Sequence, residues 1–137
     1  MNVEEWFEKY KYKCDSFRDI KRLIKIKEEK GHKISVIIPT LNEEKTVGKV
    51  VQVLHEYLVK KYPLVDEILV IDSGSTDNTQ QAAEMNGPKF VLAEKVLKKK
   101  GDWKGKGENL WKSLYVAKGS IICWVDADIE NIHPRFV

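Results

Sequence analysis

Two carboxylates follow the last apolar segment of the chain, in Asp126-Ala127-Asp128. If the backbone stays extended there, side chains two residues apart point the same way, so two negative charges meet beside an apolar sheet. A hard divalent cation such as Mg²⁺ or Mn²⁺ takes one or two carboxylates and completes its shell with water and phosphate oxygens. The alternative is a solvated turn in which Asp128 caps the next element. The position of the motif after a buried strand favours a metal site.

Polar residues also follow two earlier apolar segments, in the stretches 39–44 and 72–77. The second stretch, Asp72-Ser73-Gly74-Ser75-Thr76-Asp77, predicts a tight turn in which Gly74 adopts positive φ and the backbone offers donors. Asp72 and the hydroxyl groups can hydrogen-bond a base or a ribose. The same residues can instead cap a helix, with Asp77 complementing its dipole. Both interpretations can hold together because they use different residues.

A basic loop covers residues 98–107, with lysines at 98, 99, 100, 104 and 106 and glycines at 101, 105 and 107. Glycines let a backbone approach a diphosphate closely, and Lys106 between two of them is the best candidate to contact it. The first three lysines are assigned to a solvated loop. The spacing does not fit a phosphate-binding P-loop, and no dinucleotide fingerprint follows the first strand.

The elements that must position these residues alternate between strand and helix. Apolar periodicity predicts helices over residues 15–30 and 44–61, another that begins at Ser75 or Thr76 and ends at Gly87, and a fourth over 108–117 with Leu110, Trp111 and Leu114 facing inward. Continuous apolar runs predict buried strands at 34–38, 67–71, 89–92 and 120–125. This order predicts an α/β fold with a mostly parallel sheet flanked by helices, whose ligands bind at the carboxyl ends of the strands.

Composition narrows the function classes. The 137 residues carry a net charge of +3, but residues 9–33 alone hold ten basic and four acidic side chains. Such a basic segment can bind a membrane surface or nucleic acid; the interspersed acids favour a solvated helix face, and we expect no nucleic-acid partner. No apolar run is long enough for a transmembrane segment. Cys14 and Cys123 lack metal-ligand spacing, and with Cys123 expected as a buried thiol they favour a reduced, cytoplasmic protein. His133 can lie near the metal or simply precede a helix start at Pro134.

The strand-end motifs together resemble glycosyltransferases of the GT-A (Rossmann-like) fold: Ile34 to Pro39, Asn42 to Glu44, Asp72 to Asp77 and Asp126 to Asp128. The blocks 105–111 and 126–134 more narrowly resemble the glucosyl-3-phosphoglycerate synthase family. That family transfers glucose from a nucleotide donor, UDP-glucose by expectation, to 3-phosphoglycerate with retention, and uses Mg²⁺. We expect an N-terminal helical segment at residues 1–33, followed at residues 34–137 by the nucleotide-sugar-binding subdomain that the resemblance implies.

The resemblance also implies residue roles. Pro39, Leu41 and Glu43 would hold the uracil and ribose with Ser73 beside them, and Lys106 would contact the diphosphate. Asp126 and Ala127 would face ribose and phosphate, while Asp128 would bind the metal. Ala127 stands where the narrower family more often has serine, so one hydroxyl contact is absent.

The resemblance implies a longer enzyme whose second half supplies the acceptor site. We therefore expect uncovered apolar surface, which leads to a homodimer, a partner chain or poor stability. Two other functions stay open. One is a related transferase with a polyprenyl-phosphate or sugar acceptor, in which the basic helix contacts a membrane. The other is a nucleotide-binding module without turnover.

Overall fold

Four parallel strands form one sheet with the spatial order β3-β2-β1-β4 in the computed structural model, which describes residues 1–103 and 105–137. Lys104 of the basic loop lies outside the described residues. The strands are β1 (Ile34–Thr40), β2 (Glu67–Asp72), β3 (Lys89–Leu92) and β4 (Ile121–Trp124). The predicted parallel sheet is thereby confirmed. In its centre Ile37 of β1 lies between Leu69 of β2 and Trp124 of β4.

Five α-helices occur in the described part of the chain: α1 (Val3–Tyr10), α2 (Ile20–Glu29), α3 (Val47–Leu54), α4 (Thr79–Glu84) and α5 (Lys106–Ser113). A π-helical segment, His55–Lys61, continues α3. The helix predicted over 44–61 is therefore present from Val47 onward, in two geometries. Short 3₁₀ turns lie at Cys14–Phe17, Ala93–Lys95, Lys98–Lys100 and Pro134–Phe136. None of the helices within residues 1–103 and 105–137 has the length and apolar character needed to cross a bilayer.

The sheet is covered on both faces, as the continuous apolar strands predict. On one face Val36 and Ile38 of β1 pack with Val50, Val51 and Leu54 of α3, all of them fully buried. A smaller cluster on the other face contains Ile37, Leu69, Ile71 and Ala93. Burial of one such aliphatic side chain contributes about 1.5–3 kcal/mol. The carboxyl ends of the strands are therefore held on a rigid base.

The N-terminal region differs from the single helix predicted over 15–30. Asp19 caps α2, because its side chain accepts a hydrogen bond from the Arg22 N–H at 3.0 Å. The preceding residues therefore form a separate 3₁₀ turn, in which Phe17 is half exposed. Leu23 and Ile24 of α2 pack against the core formed by residues 34–137, whereas α1 buries no side chain. The division of the chain at residue 33 stays a prediction.

The turn before α4 also corrects a prediction. The helix begins at Thr79, with Asn78 rather than Ser75 or Thr76 at the N-cap position. The Asp77 carboxylate accepts hydrogen bonds from the Thr79 N–H at 3.0 Å and from its hydroxyl group. Burial raises the pKa of Asp77, but these hydrogen bonds and one from the Glu44 N–H outweigh it and leave the pKa lowered. The expected role of Asp77 at the helix N-terminus therefore holds.

Helix α5 presents its polar side to the protein interior, so the predicted inward face is wrong. Glu108, Asn109, Lys112 and Ser113 are buried, whereas Leu114 is 52% exposed. Polar side chains face inward because α5 packs against strand ends and a loop whose backbone carbonyl groups need hydrogen-bond donors. The helix also begins at Lys106, two residues before its predicted start.

Strand β4 forms one edge of the sheet. It pairs with β1 on one side, and Ile121 and Trp124 are 42% and 47% exposed. Cys123, expected as a buried thiol, is half-buried, and this burial raises its pKa. The prediction of a homodimer remains a prediction, which light scattering can test.

Candidate functional site

A cavity of about 260 Å³ opens where β1, β2 and β4 end and α5 begins. In a parallel sheet these ends lie at one edge, which is where α/β proteins bind their ligands. Its lining comes from four stretches of the chain: Pro39, Thr40, Leu41 and Glu43 after β1, Ser73 after β2, Gly105, Lys106 and Asn109 around the start of α5, and Asp126, Ala127 and Asp128 after β4.

The segments after β1 and β2 are joined by reciprocal hydrogen bonds. The Asn42 N–H donates to the Ser75 hydroxyl at 2.7 Å, and the Asn42 side-chain oxygen accepts from the Thr76 N–H at 2.9 Å. Asn42 adopts a φ of 58°, a left-handed conformation that asparagine tolerates better than most residues. The Glu43 N–H donates to the Thr79 hydroxyl at 2.7 Å. These hydrogen bonds fix the wall of the cavity that carries Leu41 and Glu43.

Asp72 lies beneath the cavity and does not line it. Its carboxylate accepts hydrogen bonds from the N–H groups of Gly74 and Ser75 at 2.8 and 2.7 Å, and from the Thr40 hydroxyl at 2.8 Å. The turn needs the positive φ of 92° that Gly74 supplies. Asp72 is 1% exposed, so its carboxylate is occupied by the turn that it builds. A direct contact of Asp72 with base or ribose stays a prediction, and this geometry does not favour it.

Asn109 ties α5 to the two central strands. Its side-chain NH₂ donates to the Ile71 carbonyl oxygen at 3.0 Å and to that of Thr40 at 3.4 Å, and its oxygen accepts from the Ser73 hydroxyl at 2.8 Å. The residue is almost fully buried. Asn109 therefore holds Ser73 in the wall of the cavity and fixes the start of α5 above the strand ends.

Lys106 and the two aspartates after β4 meet at the mouth of the cavity. The Lys106 ammonium group forms a short hydrogen-bonded ion pair with Asp126. Asp128 is exposed, and within the described part of the chain its carboxylate has no hydrogen-bond or ion-pair partner. The carboxylate that was predicted to bind a metal is thus open to a ligand from the cavity.

The charge of the lining suits a cation held together with an anionic ligand. Glu43, Asp126 and Asp128 contribute three carboxylates, against one ammonium group from Lys106 among the described lining residues. In residues 1–103 and 105–137 no three His, Cys, Asp or Glu side chains cluster closely enough to hold a metal by themselves. One or two carboxylates fit Mg²⁺ or Mn²⁺ whose remaining ligands are phosphate oxygens and water.

Eight of the nine predicted site residues line this cavity, and only Asp72 does not. Thr40, Gly105 and Asn109 line it without having been predicted. Asn109 could have been predicted from the sequence, because it lies three residues after Lys106 and so shares its face of the helix. His133 lies elsewhere: it is exposed and lines a second, apolar groove beside Phe17 and Leu64. His133 does not line the cavity that holds Asp128, and its nearness to a metal stays a prediction, while its place before the 3₁₀ turn at Pro134 is confirmed.

Comparison with known proteins identifies relatives. The family model described as glycosyl transferase family 2 matches residues 35–135. A glucosyl-3-phosphoglycerate synthase from Petrotoga mobilis is 55% identical over 121 residues, which are 88% of this chain and 37% of that protein. The enzyme of the same name from Mycolicibacterium smegmatis is 46% identical over 78% of this chain and 34% of its own length.

Solved structures agree. The crystal structure of mannosyl-3-phosphoglycerate synthase from Rubrobacter xylanophilus is similar with a TM-score of 0.88 and 32% identity, over 97% of this chain and 42% of that chain. Glucosyl-3-phosphoglycerate synthase from Mycobacterium tuberculosis, in complex with Mg²⁺ and uridine diphosphate, has a TM-score of 0.76 and 42% identity, over 84% and 39% of the two chains.

The chain thus spans about two fifths of the length of the relatives it matches. Over that span the likeness in structure and the matched family model confirm the expected GT-A fold. The matched residues include nearly all of β1, the whole of β2 and β4, and every described residue that lines the cavity. This chain belongs to glycosyl transferase family 2.

Proposed function

We propose that this chain forms the donor-binding part of a glucosyl-3-phosphoglycerate synthase. The reaction is transfer of glucose from UDP-glucose to 3-phosphoglycerate with retention, dependent on Mg²⁺ or Mn²⁺. The observation that carries the proposal is the convergence of Lys106, Asp126 and Asp128 at one cavity mouth, beside the ordered wall after β1 and β2. Support comes from the Petrotoga mobilis relative at 55% identity.

Each wall of the cavity has a part in this reaction. The uracil and ribose bind against Pro39, Leu41 and Glu43. Ser73 lies beside these residues, and its hydroxyl donates a hydrogen bond of 2.8 Å to the Asn109 side-chain oxygen. The cross-linked loops keep these groups in place before the donor binds, which lowers the ordering cost of binding.

The other wall binds the diphosphate. Lys106 contacts the phosphates, Asp126 and Ala127 face ribose and phosphate, and Asp128 holds the cation. When bound, the cation neutralises the charge that develops on the diphosphate leaving group. We assign no nucleophile, because each carboxylate of the described lining already has a binding role; departure and attack on the same face of the sugar would give retention.

A mannosyl donor is the second candidate. The Rubrobacter xylanophilus mannosyl-3-phosphoglycerate synthase has a TM-score of 0.88 to this chain and covers 97% of it. The two synthases differ in the sugar, so donor identity is tested by competition between UDP-glucose and GDP-mannose. We commit to glucose because of the higher identity to the glucosyl enzymes.

A cytoplasmic location belongs to the same proposal. Cys14 and Cys123 are both free thiols, as expected of a protein from a reducing compartment. A homodimer is likewise proposed, since Ile121 and Trp124 leave apolar surface on the edge strand.

The test is calorimetric titration of UDP and UDP-glucose with Mg²⁺ or Mn²⁺, repeated in EDTA. Asp128→Asn is expected to weaken metal-dependent binding by about tenfold or more, since a charged ligand of the cation is lost. Glu130→Gln is the matched control, because Glu130 lies two residues away with its side chain outside the cavity lining.

Equal losses in both variants, or binding that ignores EDTA, would contradict the metal role of Asp128. If the protein does not bind UDP, the proposed donor site is wrong. Transfer itself is measured with labelled UDP-glucose and 3-phosphoglycerate on the native protein purified from its host, where nucleotide binding without product would favour a binding module.

A further inference from the structure

A fully buried lysine, Lys112, lies on α5 and does not line the cavity. Its ammonium group donates to the carbonyl oxygens of Ala93 and Gly101, both at 3.1 Å. It also pairs with the Glu108 carboxylate at 2.8 Å and lies 3.5 Å from that of Asp102. Two of these partners are backbone atoms near opposite ends of the segment 93–102, so the lysine holds this segment against α5.

Glu108 completes the contact from the other side. Its carboxylate accepts hydrogen bonds from the Trp111 indole N–H and from the Trp103 backbone N–H, the latter at 3.4 Å. Hydrogen bonds from Lys112 and Trp111 hold the pKa of Glu108 below its usual range. Glu108 therefore stays a carboxylate at neutral pH and remains the counter-charge of the buried ammonium group.

Burying an ion pair is costly, and well-packed apolar side chains of similar volume often replace both partners at no loss of stability, whereas removal of one partner alone is destabilising. What an apolar side chain cannot do is hold backbone carbonyl groups at fixed distances. The bonds from Lys112 and Glu108 end at Gly101 and Trp103, and α5 starts at Lys106. Lys106 therefore lies in the helix turn that this pair holds, three residues after the anchored Trp103.

We propose that Lys112 and Glu108 act as a positioning pair, which places Lys106 at the mouth of the cavity and so sets the affinity for the diphosphate of the donor. The inference rests on the proposed function, because it concerns the same diphosphate-binding lysine. Neither residue lines the cavity, so they act through Lys106 and not by contact with the donor.

The experiment compares UDP with UMP, which differ by one phosphate, in calorimetric titrations with Mg²⁺. Lys112→Met is expected to lower UDP affinity about tenfold, the value of one charge-assisted hydrogen bond, and UMP affinity less than about twofold. UMP binds the same uridine wall but lacks the second phosphate, so the ratio of the two affinities separates an effect on the diphosphate from a general disturbance of the site, including one transmitted through Asn109 and Ser73. Lys118→Met, at an exposed lysine beyond α5, is the matched control and is expected to leave the ratio unchanged.

A double-mutant cycle sharpens the test. In a Lys106→Gln background, Lys112→Met is expected to cause no further fall in the ratio, because the group that it positions is gone. If the circular dichroism spectrum of Lys112→Met differs from that of the wild type, the same titrations are made with Glu108→Gln, which keeps the size of the side chain.

An unchanged ratio in a folded variant, or equal falls with and without Lys106, would overturn the positioning role while the donor site stands. If the wild-type protein binds no UDP, the proposed function fails and this inference fails with it.

Discussion

Lys106, the first residue of α5, donates a hydrogen bond to Asp126, which follows β4, across the mouth of the cavity. Both side chains are more than half exposed, and ion pairs of this kind contribute only about 0–1 kcal/mol. The pair is therefore weak enough to be exchanged. In the proposed function, a diphosphate binds Lys106 in place of Asp126, which then faces the ribose and phosphate.

The exchange predicts the behaviour of Lys106→Gln. UDP affinity should fall about tenfold at low salt, and the difference from wild type should shrink as ionic strength rises, because the lost contact is partly exposed. Stability in urea should change by less than about 1 kcal/mol. Lys100→Gln, which removes an exposed lysine of the same loop outside the cavity, is the control. Equal losses from the two variants would point to the general charge of the loop.

Asn109→Ala should destabilise the fold as well as the site. The substitution removes the side-chain donor that the carbonyl oxygens of Thr40 and Ile71 share, at a cost of about 1–3 kcal/mol. Ser73→Ala removes only a hydroxyl at the cavity wall and should cost less than about 1 kcal/mol. Urea denaturation measures the free energy of unfolding of the two variants. Equal losses would mean that Asn109 stabilises the fold through its contact with Ser73.

Asp66 should make the fold sensitive to acid. Burial raises its pKa, but hydrogen bonds from the Ile34 N–H at 2.8 Å and from Lys27 outweigh it, so the pKa lies below its ordinary value of 3.8. A carboxyl group whose pKa is lowered by folding contributes stability above its unfolded pKa, and loses it as the pH falls through the folded pKa. Asp66→Asn should therefore cost about 1 kcal/mol at neutral pH, because solvent screens a side chain that is 35% exposed. The difference from wild type should shrink below pH 3.8.

The control for Asp66 is the exposed pair of Lys25 and Glu29, whose charged atoms are 3.7 Å apart. Glu29→Gln should change the free energy of unfolding by less than about 0.5 kcal/mol at any pH. Urea denaturation from about pH 3 to about pH 7, a range that brackets the reference pKa of aspartate, measures both variants. A difference between Asp66→Asn and wild type that stays constant with pH would contradict the assignment.

Gly119 should tolerate no side chain. A Cβ atom there would lie 2.6 Å from the backbone nitrogen of Ser35 at the start of β1. Gly119→Ala should therefore cost about 1–3 kcal/mol, as overpacking does elsewhere. Gly107→Ala is the matched control, since a Cβ atom added at Gly107, in the first turn of α5, would meet nothing within 4 Å. It should be neutral or stabilise by up to about 1 kcal/mol in thermal unfolding.

Much of the site could be predicted from residue order. Apolar runs such as 34–38 require strands buried on both faces, and parallel strands place their carboxyl ends at one edge. Asp126, Asp128 and Ser73 follow such runs directly, so their meeting in one cavity follows from local pattern and topology. The strand-end motifs also carried the resemblance to the family, which the match over residues 35–135 confirms.

Contacts between distant segments were decided only by the tertiary structure. Periodicity indicated Leu110 and Leu114 as the inner face of α5, but Lys112 and Asn109 face inward, because the partners there are carbonyl groups of Ala93 and Ile71. Asp72 likewise has the residue type of a ligand-binding group, yet the turn after β2 uses its carboxylate. A hydrophobic pattern indicates which side chains avoid water. It carries no information on which polar groups of a distant loop will lie beside a helix, and those groups determine which polar side chains are buried.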